Sequence, residues 1–250
     1  MERSDDFGVI AGKYDIFNTA DYDAYASFVL GQFARADIPV TEVLDLGCGT
    51  GELSLRLADN GKSVTAADIS EDMLGVLCGK INGRDILPVR QDMRKLDLFG
   101  TVQGCVSAFD SLNYLLTAAD LAKAISSVGF FMEKGGVFVF DVNTAYAYEK
   151  IYDGKSYVYE SGENMLVWQS AYNAKTRVCR FYLTSFEPEG GLFSRCDAVH
   201  IQKYHPKRTV EKAADHAGFD ILDIFGGTDC SAPGEGSVKN YYVLKKNRSL

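Results

Sequence analysis

From Glu42 to Phe140, short apolar runs alternate with segments whose apolar residues recur every three or four positions. The short runs predict strands and the intervening segments predict helices. Repeated strand–helix units with apolar strands indicate a parallel sheet covered by helices on both faces. The predicted strands are Glu42 to Leu46, Ser63 to Ala67, Ile86 to Arg90, Gln103 to Phe109 and Val137 to Phe140.

The flanking segments follow different periods. Before the first strand, apolar residues from Tyr22 to Phe33 fall at helical spacing. From Tyr157 to Tyr204 aromatic and β-branched residues alternate with polar ones, which predicts three or four antiparallel strands. A helix opening at Pro206 and two terminal strands follow. We therefore assign 1–150 and 205–250 to one α/β core and 151–204 to a β-rich insert.

Acidic residues stand at or just after the ends of the predicted core strands. In a parallel sheet these ends meet along one edge, where ligands bind in open α/β folds. One aspartate there would be unremarkable as a turn former, but five predict a polar rim around a single crevice. They are Asp45, Asp68, Asp92, Asp110 and Asp141.

The stretch Val43 to Gly51 joins an apolar strand to a helix through three glycines at every second position. Glycines at such a turn permit a tight backbone and bring main-chain N–H groups close to a ligand. The spacing is GxGxG, and Glu52 stands where the dinucleotide fingerprint GxGxxG needs its last glycine. The turn therefore favours a nucleotide-like ligand other than a nicotinamide dinucleotide.

Composition and net charge limit the kinds of partner that this chain is expected to bind. The 250 residues suffice for one α/β domain, and a net charge of −8 argues against broad binding to nucleic acid. No apolar stretch approaches the roughly 18 residues of a membrane span, and the polar start lacks a signal-peptide core. Six scattered cysteines without a C-x-x-C pair indicate reduced thiols and no metal site. We expect a cytoplasmic protein, monomeric or homodimeric.

The stretch Val43 to Gly51 strongly resembles the glycine motif of class I S-adenosylmethionine (SAM)-dependent methyltransferases. The resemblance covers about residues 40 to 143, and the two terminal strands more loosely. It implies SAM as cofactor and a Rossmann-like, doubly wound, seven-stranded sheet. The strand order in that family is 3-2-1-4-5-7-6, with strand 7 antiparallel. In this chain the antiparallel β insert follows strand 5.

The same resemblance assigns residues to the methionine part of SAM. Gly47, Gly49 and Gly51 match the glycines against which this part lies. Asp45 matches the acid that orients the methionine ammonium. Phe109, at the predicted end of strand 4, matches the position whose backbone carbonyl accepts from that ammonium.

Four further positions match the nucleoside part. Asp68 corresponds to the acid that binds both ribose hydroxyls, and Ile69 would lie against the adenine. Asp92 corresponds to the acid that accepts from the adenine amino group, and Met93 would flank the ring or supply a backbone N–H. Taken singly, Asp68 could be a helix cap and Asp92 a turn former.

Three segments resemble a subgroup of small bacterial methyltransferases that includes sugar N,N-dimethyltransferases: Asp110 to Tyr114, Phe140 to Asn143 and His200 to Tyr204. In that subgroup a tyrosine of the leading segment, here Tyr14, folds over the SAM site. The insert forms a lid over the acceptor pocket. For Tyr14 simple packing is an equally acceptable interpretation.

The predicted activity is methyl transfer to a small molecule by in-line displacement, which depends on alignment and exclusion of water. A neutral amine needs little base, whereas a hydroxyl needs one, so an amine is favoured. The acceptor-side candidates are Tyr14, Asp110, Asn113, Tyr114 and His200, although a histidine on such a strand is often structural.

Two features of the sequence argue against a methyltransferase that acts on DNA. An amino-methyltransferase of DNA would carry an NPPY-like run where this chain has Asp110 to Tyr114. A cytosine-5 enzyme would need a cysteine there, and Cys105 lies within the strand. A non-catalytic SAM-binding or regulatory protein is the main alternative, and a nicotinamide-dependent oxidoreductase the weaker one.

Overall fold

Eleven strands form two sheets in the computed structural model, which describes residues 11–12, 14–18 and 20–248 without the side chain of Tyr14. Helices separate the first five strands except β3 and β4, which are joined by turns over residues 91–101. The next four strands form the insert, and the last two close the chain. They are β1 Glu42–Leu46, β2 Ser63–Asp68, β3 Ile86–Arg90, β4 Val102–Ser107, β5 Met132–Asn143, β6 Ser156–Ser161, β7 Asn164–Asn173, β8 Val178–Glu189, β9 Leu192–Lys203, β10 Phe219–Phe225 and β11 Lys239–Lys246.

The larger sheet has the order β3-β2-β1-β4-β5-β11-β10. Strands β1 to β5 pair in parallel, and β11 pairs antiparallel with both of its neighbours. This confirms the predicted fold class and strand order. The reversal after β1, where β2 lies on one side and β4 on the other, opens the crevice in which doubly wound sheets bind ligands.

Helices cover both faces of this sheet because strand residues alternate between the faces. Val137 and Val139 join the core formed with the leading helices, whereas Phe138 and Phe140 join the core formed with the later ones. The helices are α1 Tyr14–Phe17, α2 Tyr22–Phe33, α3 Glu52–Asp59, α4 Glu71–Lys80, α5 Ala118–Phe131 and α6 Lys207–His216. None of the helices in the described ranges is long and apolar enough to cross a membrane.

The smaller sheet has the order β6-β7-β8-β9 and is antiparallel throughout. It is inserted between β5 and α6 and follows a π-helical turn, Ala147–Tyr152, that the sequence pattern did not predict. The predicted turn at Pro188 to Gly191 is shorter than expected. Strand β8 continues to Glu189, and the reversal uses only Gly190 and Gly191, both with positive φ.

The prediction that the fourth strand runs from Gln103 to Phe109 is wrong at its end. Strand β4 stops at Ser107, because Phe109 and Asp110 adopt left-handed backbone conformations with φ of 54° and 56°. A one-turn 3-10 helix, Ser111–Tyr114, follows directly. Strand β5 is longer than the predicted Val137 to Phe140, since its pairing extends through Asn143 at the crevice.

Gly51 offers a test of how the glycine turn is packed. It has φ of 80° at the start of α3, and a Cβ there would lie 2.2 Å from Cδ1 of the buried Leu77. Gly61 has φ of 75° but open space around it. We expect Gly51→Ala to lower the free energy of unfolding by about 1–3 kcal/mol more than Gly61→Ala, because overpacking adds to the shared backbone strain. Urea unfolding of both variants measures the difference, and equal losses would show that Leu77 yields freely.

Candidate active site

A cavity of about 580 Å³ lies at the carboxyl ends of the parallel strands and extends beneath the insert. One end is formed by the glycine turn and the ends of β1 to β4, and the other by the inner face of the smaller sheet. Most of the predicted site residues line it: Asp45, Gly47, Gly49, Asp68, Ile69, Asp92, Met93, Phe109, Asp110, Tyr114 and His200. Gly51 and Asn113 lie behind its wall.

The carboxylate of Asp68 anchors the glycine turn. Its Oδ2 accepts from the backbone N–H of Gly49 at 2.8 Å, and its Oδ1 accepts from that of Ser70 at 2.8 Å. The N–H of Gly47 donates to the Ala67 carbonyl at 2.7 Å. Ser70 in turn caps α4, as predicted. The acid at the end of β2 is thus oriented by two backbone donors at the cavity wall.

Gly47 must be glycine for two reasons. Its φ is 75°, and a Cβ would lie 2.9 Å from Cβ and Oγ of Ser111. The Ser111 hydroxyl donates to the Ala108 carbonyl at 2.7 Å and so belongs to the turn after β4. The two strand ends that flank the crevice therefore approach each other closely at this point.

Asp45 lies beneath the turn and is only 1% exposed. The hydroxyl of Ser54 in α3 donates to its Oδ2 at 2.5 Å. Burial raises the pKa of Asp45 to about 7, and the nearby charge of Asp68 contributes in the same direction. The group therefore changes its charge near neutral pH.

Asp92 follows β3 and forms an ion pair with Arg94. The guanidinium donates Nε to Oδ1 at 2.9 Å and Nη2 to Oδ2 at 2.6 Å. These hydrogen bonds hold the pKa of Asp92 below its usual range. Ile69, across the cavity mouth, leaves 44% of its surface exposed. This end of the cavity combines an exposed apolar side chain with a carboxylate that is already paired.

Asp141 controls the turn that ends β4. Its Oδ1 accepts from the N–H of Phe109 at 2.6 Å, and its Oδ2 accepts from that of Asp110 at 2.8 Å. The Tyr25 hydroxyl donates to Oδ1 at 2.6 Å, and the Lys239 ammonium donates to Oδ2 at 2.6 Å. A fully buried carboxylate with four donors explains why Phe109 and Asp110 adopt left-handed conformations.

Lys239 also binds Asp110, with Nζ 2.7 Å from Oδ1. Burial would lower the pKa of Lys239, but Asp110 and Asp141 raise it well above its usual range. Burial raises the pKa of Asp110, and Lys239 opposes this effect. The lysine therefore stays charged, and the Asp110 carboxylate is engaged in an ion pair at the cavity wall.

Two side-chain amides join the core to the insert. Gln202 on β9 donates Nε2 to Oδ2 of Asp110 at 2.5 Å and accepts at Oε1 from the Tyr148 hydroxyl at 2.9 Å. Asn113 donates Nδ2 to the Lys203 carbonyl at 2.8 Å and accepts at Oδ1 from the Asn143 N–H. Asn113 is fully buried, and both ends of its amide are engaged within the chain.

Tyr114 and His200 meet across the same junction. The Tyr114 hydroxyl lies 3.1 Å from Nδ1 of His200, and both residues line the cavity. His200 is 5% exposed and sits on the inner face of β9 with Gln202, as the alternation of that strand predicts.

Aromatic rings cover much of the insert's inner face. Trp168 on β7 lies 5.3 Å from Phe181 on β8 and 6.3 Å from Tyr159 on β6, measured between ring centroids. Tyr152, from the π-helical turn, lies 5.4 Å from Phe181. The wall opposite the glycine turn is therefore rich in aromatic rings, which lie tilted or edge-on to one another.

The leading segment closes one side of the cavity. Phe17 and Tyr22 line it, and Tyr22 packs edge-on against Phe109 at 4.8 Å. Helix α1 is tied down by Asp15, which accepts from the Lys80 ammonium at 2.5 Å and the Thr50 hydroxyl at 2.6 Å. The backbone of Tyr14 belongs to α1, but its side chain lies outside the described part of the chain.

Sequence reasoning missed four residues that hold the site together. Asp141 was recognised only as one acid of the rim, and Tyr25 only as part of an apolar stripe. Gln202 was recognised only as part of the segment His200 to Tyr204, and Lys239 carried no local signal, since their partners are 92 to 129 positions away along the chain. Pairing of charges across such distances cannot be read from spacing.

Comparison with known proteins bears directly on this arrangement. A family model described as "Methyltransferase domain" matches residues 43–136. A protein of Geobacillus sp. (strain WCH70), provisionally named a methyltransferase, is 32% identical over 241 residues, which cover 93% of this chain and 96% of the relative. A Streptomyces venezuelae protein named dTDP-3-amino-3,4,6-trideoxy-alpha-D-glucopyranose N,N-dimethyltransferase is 31% identical over 136 residues, covering 52% of this chain and 55% of that one.

The fold has a close match among solved structures. A SAM-dependent methyltransferase from Clostridium acetobutylicum superposes with a TM-score of 0.87 at 24% identity, covering 98% of this chain and all of the other. Fold, family model and the full-length relative agree, and they displace the nicotinamide alternative. The chain belongs to the SAM-dependent methyltransferases.

Proposed function

We propose that this methyltransferase transfers the methyl group of SAM to the nitrogen of a small-molecule amine bound beneath the insert. One observation carries the proposal. A single cavity joins the glycine turn to the aromatic inner face of the smaller sheet, and the turn after β4 lies between the two ends. Donor and acceptor bound at these ends would meet near Asp110 and Tyr114.

The donor end suits SAM. The glycine turn leaves room for a ligand beside its backbone. Asp68 presents an oriented carboxylate at the end of β2, which can accept hydrogen bonds from the ribose hydroxyls. Ile69 supplies an exposed apolar surface for an adenine ring. We assign Asp45 and the Phe109 carbonyl to the methionine ammonium.

The adenine end departs from the family pattern. Asp92 was predicted to accept from the adenine amino group, yet Arg94 engages both of its oxygens. We therefore propose that the Asp92–Arg94 pair shapes the loop that carries Met93. Any contact of Asp92 with adenine would share the carboxylate with that guanidinium.

Bound SAM supplies a methyl group on a sulfonium sulfur, and its transfer to nitrogen forms an N–C bond as the S–C bond breaks. The lone pair of the neutral amine is the nucleophile, so an amine bound in its unprotonated form loses no proton before the transfer. Asp110 is engaged by Lys239 and Gln202, which suits a positioning role better than that of a general base. The Tyr114–His200 pair can take the proton that the methylated ammonium releases afterwards.

Two observations support nitrogen as the acceptor atom. The Streptomyces venezuelae relative is named for N,N-dimethylation of an amino sugar. In this chain the Asp110 carboxylate at the junction is already ion-paired with Lys239, whereas a hydroxyl acceptor would require a strong base there. The insert then serves as the lid over the acceptor.

The first test uses labelled SAM with metabolite pools, each split into an untreated half and a half whose amines have been blocked by acylation. We expect labelled product only in the untreated half, because an acylated nitrogen is a poor nucleophile.

His200→Gln should lower kcat by about tenfold or less, since loss of an essential base costs about 10²–10⁴-fold. Equal labelling of both halves, with a far larger loss in His200→Gln, would favour a hydroxyl. SAM binding without product from any pool would favour a binding protein.

The pKa of Asp45 gives an expected dependence of SAM affinity on pH. Its pKa of about 7 in the folded protein lies above its ordinary value, so the carboxyl is neutral at lower pH and attracts a methionine ammonium only after ionising. We expect SAM affinity to fall by up to about tenfold per unit as pH drops below 7. Calorimetric titrations between about pH 6 and 8 measure the slope. Asp45→Asn, which mimics the neutral form, should lose this dependence, and an unchanged slope would contradict the assignment.

Asp68→Ala should weaken SAM binding by about 1–3 kcal/mol, because a charge-assisted hydrogen-bond partner of the ribose is lost. The exposed Asp72, four residues later in α4, provides a matched control, and Asp72→Ala should leave affinity unchanged. Because Asp68 also holds the turn, urea unfolding of both variants must accompany the titration. Unchanged affinity in a folded Asp68→Ala protein would refute the ribose assignment.

A further inference from the structure

We infer that the methyl acceptor has a flat aromatic body and carries no phosphate group. The inference rests on the proposed function, since it concerns what the same cavity accepts beneath the insert. It goes beyond that function by separating this chain from the relative named for a nucleotide-linked sugar.

The first observation is the shape of the acceptor wall. Alternate residues along each insert strand share the inner face. On three adjacent strands these include Tyr159, Trp168 and Phe181, and Tyr152 extends the ring cluster at centroid distances of 5.4 Å to Phe181 and 5.8 Å to Trp168. Aromatic ligands gain most from such a surface, because rings pack against rings in offset or edge-on contacts.

The second observation is the charge of the lining. Among the described residues, the cavity is lined by six carboxylates and one guanidinium, that of Arg94, which pairs with Asp92. Lys239 lies behind the wall between two carboxylates. Asp45, Asp68 and Asp92 belong to the donor end, whereas the acceptor side carries Asp110 and Glu187 and, among the described lining residues, no cationic side chain. A diphosphate bound there would lack the several cationic or N–H donors that it needs. The carboxylates are Asp45, Asp68, Asp92, Asp110, Asp120 and Glu187.

The third observation is a pair of buried oxygens on the acceptor side. Oδ1 of Asn143 and Oγ of Ser185 have no hydrogen-bond partner within the described ranges, and both residues line the cavity. Leaving such groups unsatisfied is costly, so a ligand that satisfies them is favoured. The Asn143 carbonyl can only accept, which suits an N–H donor and disfavours a phosphate oxygen.

Trp168 provides a direct probe because it is the only tryptophan in the chain. We would excite tryptophan selectively in the full-length protein loaded with S-adenosylhomocysteine, and titrate phenethylamine, phenethyl alcohol and a dTDP-linked amino sugar. We expect both phenethyl compounds to change Trp168 fluorescence, with affinities at least about tenfold above that of the nucleotide sugar. Tighter binding of the nucleotide sugar would overturn the inference, as would calorimetric binding of phenethylamine that leaves Trp168 unaffected.

Neighbouring residues of β8 supply matched variants. Phe181 faces the cavity, whereas Tyr182 points to the outer face and is 43% exposed. Phe181→Ala should weaken phenethylamine binding about fivefold or more, and Tyr182→Ala should not change it. If the two variants weaken binding equally, the aromatic wall is not the binding surface and the inference fails.

The identity of the methylated compound and atom distinguishes a failure of this inference from a failure of the proposed function. If the enzyme methylates an amine only when it is attached to a nucleotide, the aromatic acceptor is refuted while transfer to nitrogen stands. If it methylates phenethyl alcohol at oxygen and spares phenethylamine, transfer to nitrogen is refuted while the aromatic acceptor is supported.

Discussion

Asp141 lies fully enclosed at the carboxyl end of β5 and accepts from the backbone N–H groups of Phe109 and Asp110. Its two other donors, the Tyr25 hydroxyl and the Lys239 ammonium, come from α2 and β11. Removing one partner of a buried ion pair costs about 3–5 kcal/mol, so these groups must stay together. The need to satisfy this one charge fixes where the leading helix, the turn after β4 and the last strand meet.

The same charge determines the shape of the junction between donor and acceptor. Left-handed conformations at two successive non-glycine residues cost roughly 1–2 kcal/mol each, and the hydrogen bonds to Asp141 offset that cost. They turn the chain at Asp110, so that its carboxylate reaches both Lys239 and Gln202 of the insert. With the Asn113 amide as a second tie, the insert is held over the crevice by the residues that end β4.

A feature could be predicted from the sequence where the residues that form it lie close together along the chain or follow a family-wide pattern. The cap at Ser70 and the hydrogen bond from Gly49 to Asp68 join residues 3 and 19 positions apart, and the strand order follows a family-wide pattern. The end of β4 was predicted two residues too long because Phe109 suits a strand, and nothing nearby shows that Asp141 will bind its N–H. Asn113 was assigned a catalytic place by position, whereas the folded chain engages its amide on both sides.

This difference in range also explains why the methyl donor is easier to infer than the acceptor. The donor end is built from one turn and the strand ends beside it, so a short motif carries the chemistry. The acceptor end is assembled from the π-helical turn, four insert strands and the loop after β4, whose contacts span up to 92 residues. Single substitutions on the inner face of the insert can alter the wall without disturbing the donor end. The aromatic lining beneath the insert is therefore a property of this chain, and similarity confined to the core does not transfer an acceptor between relatives.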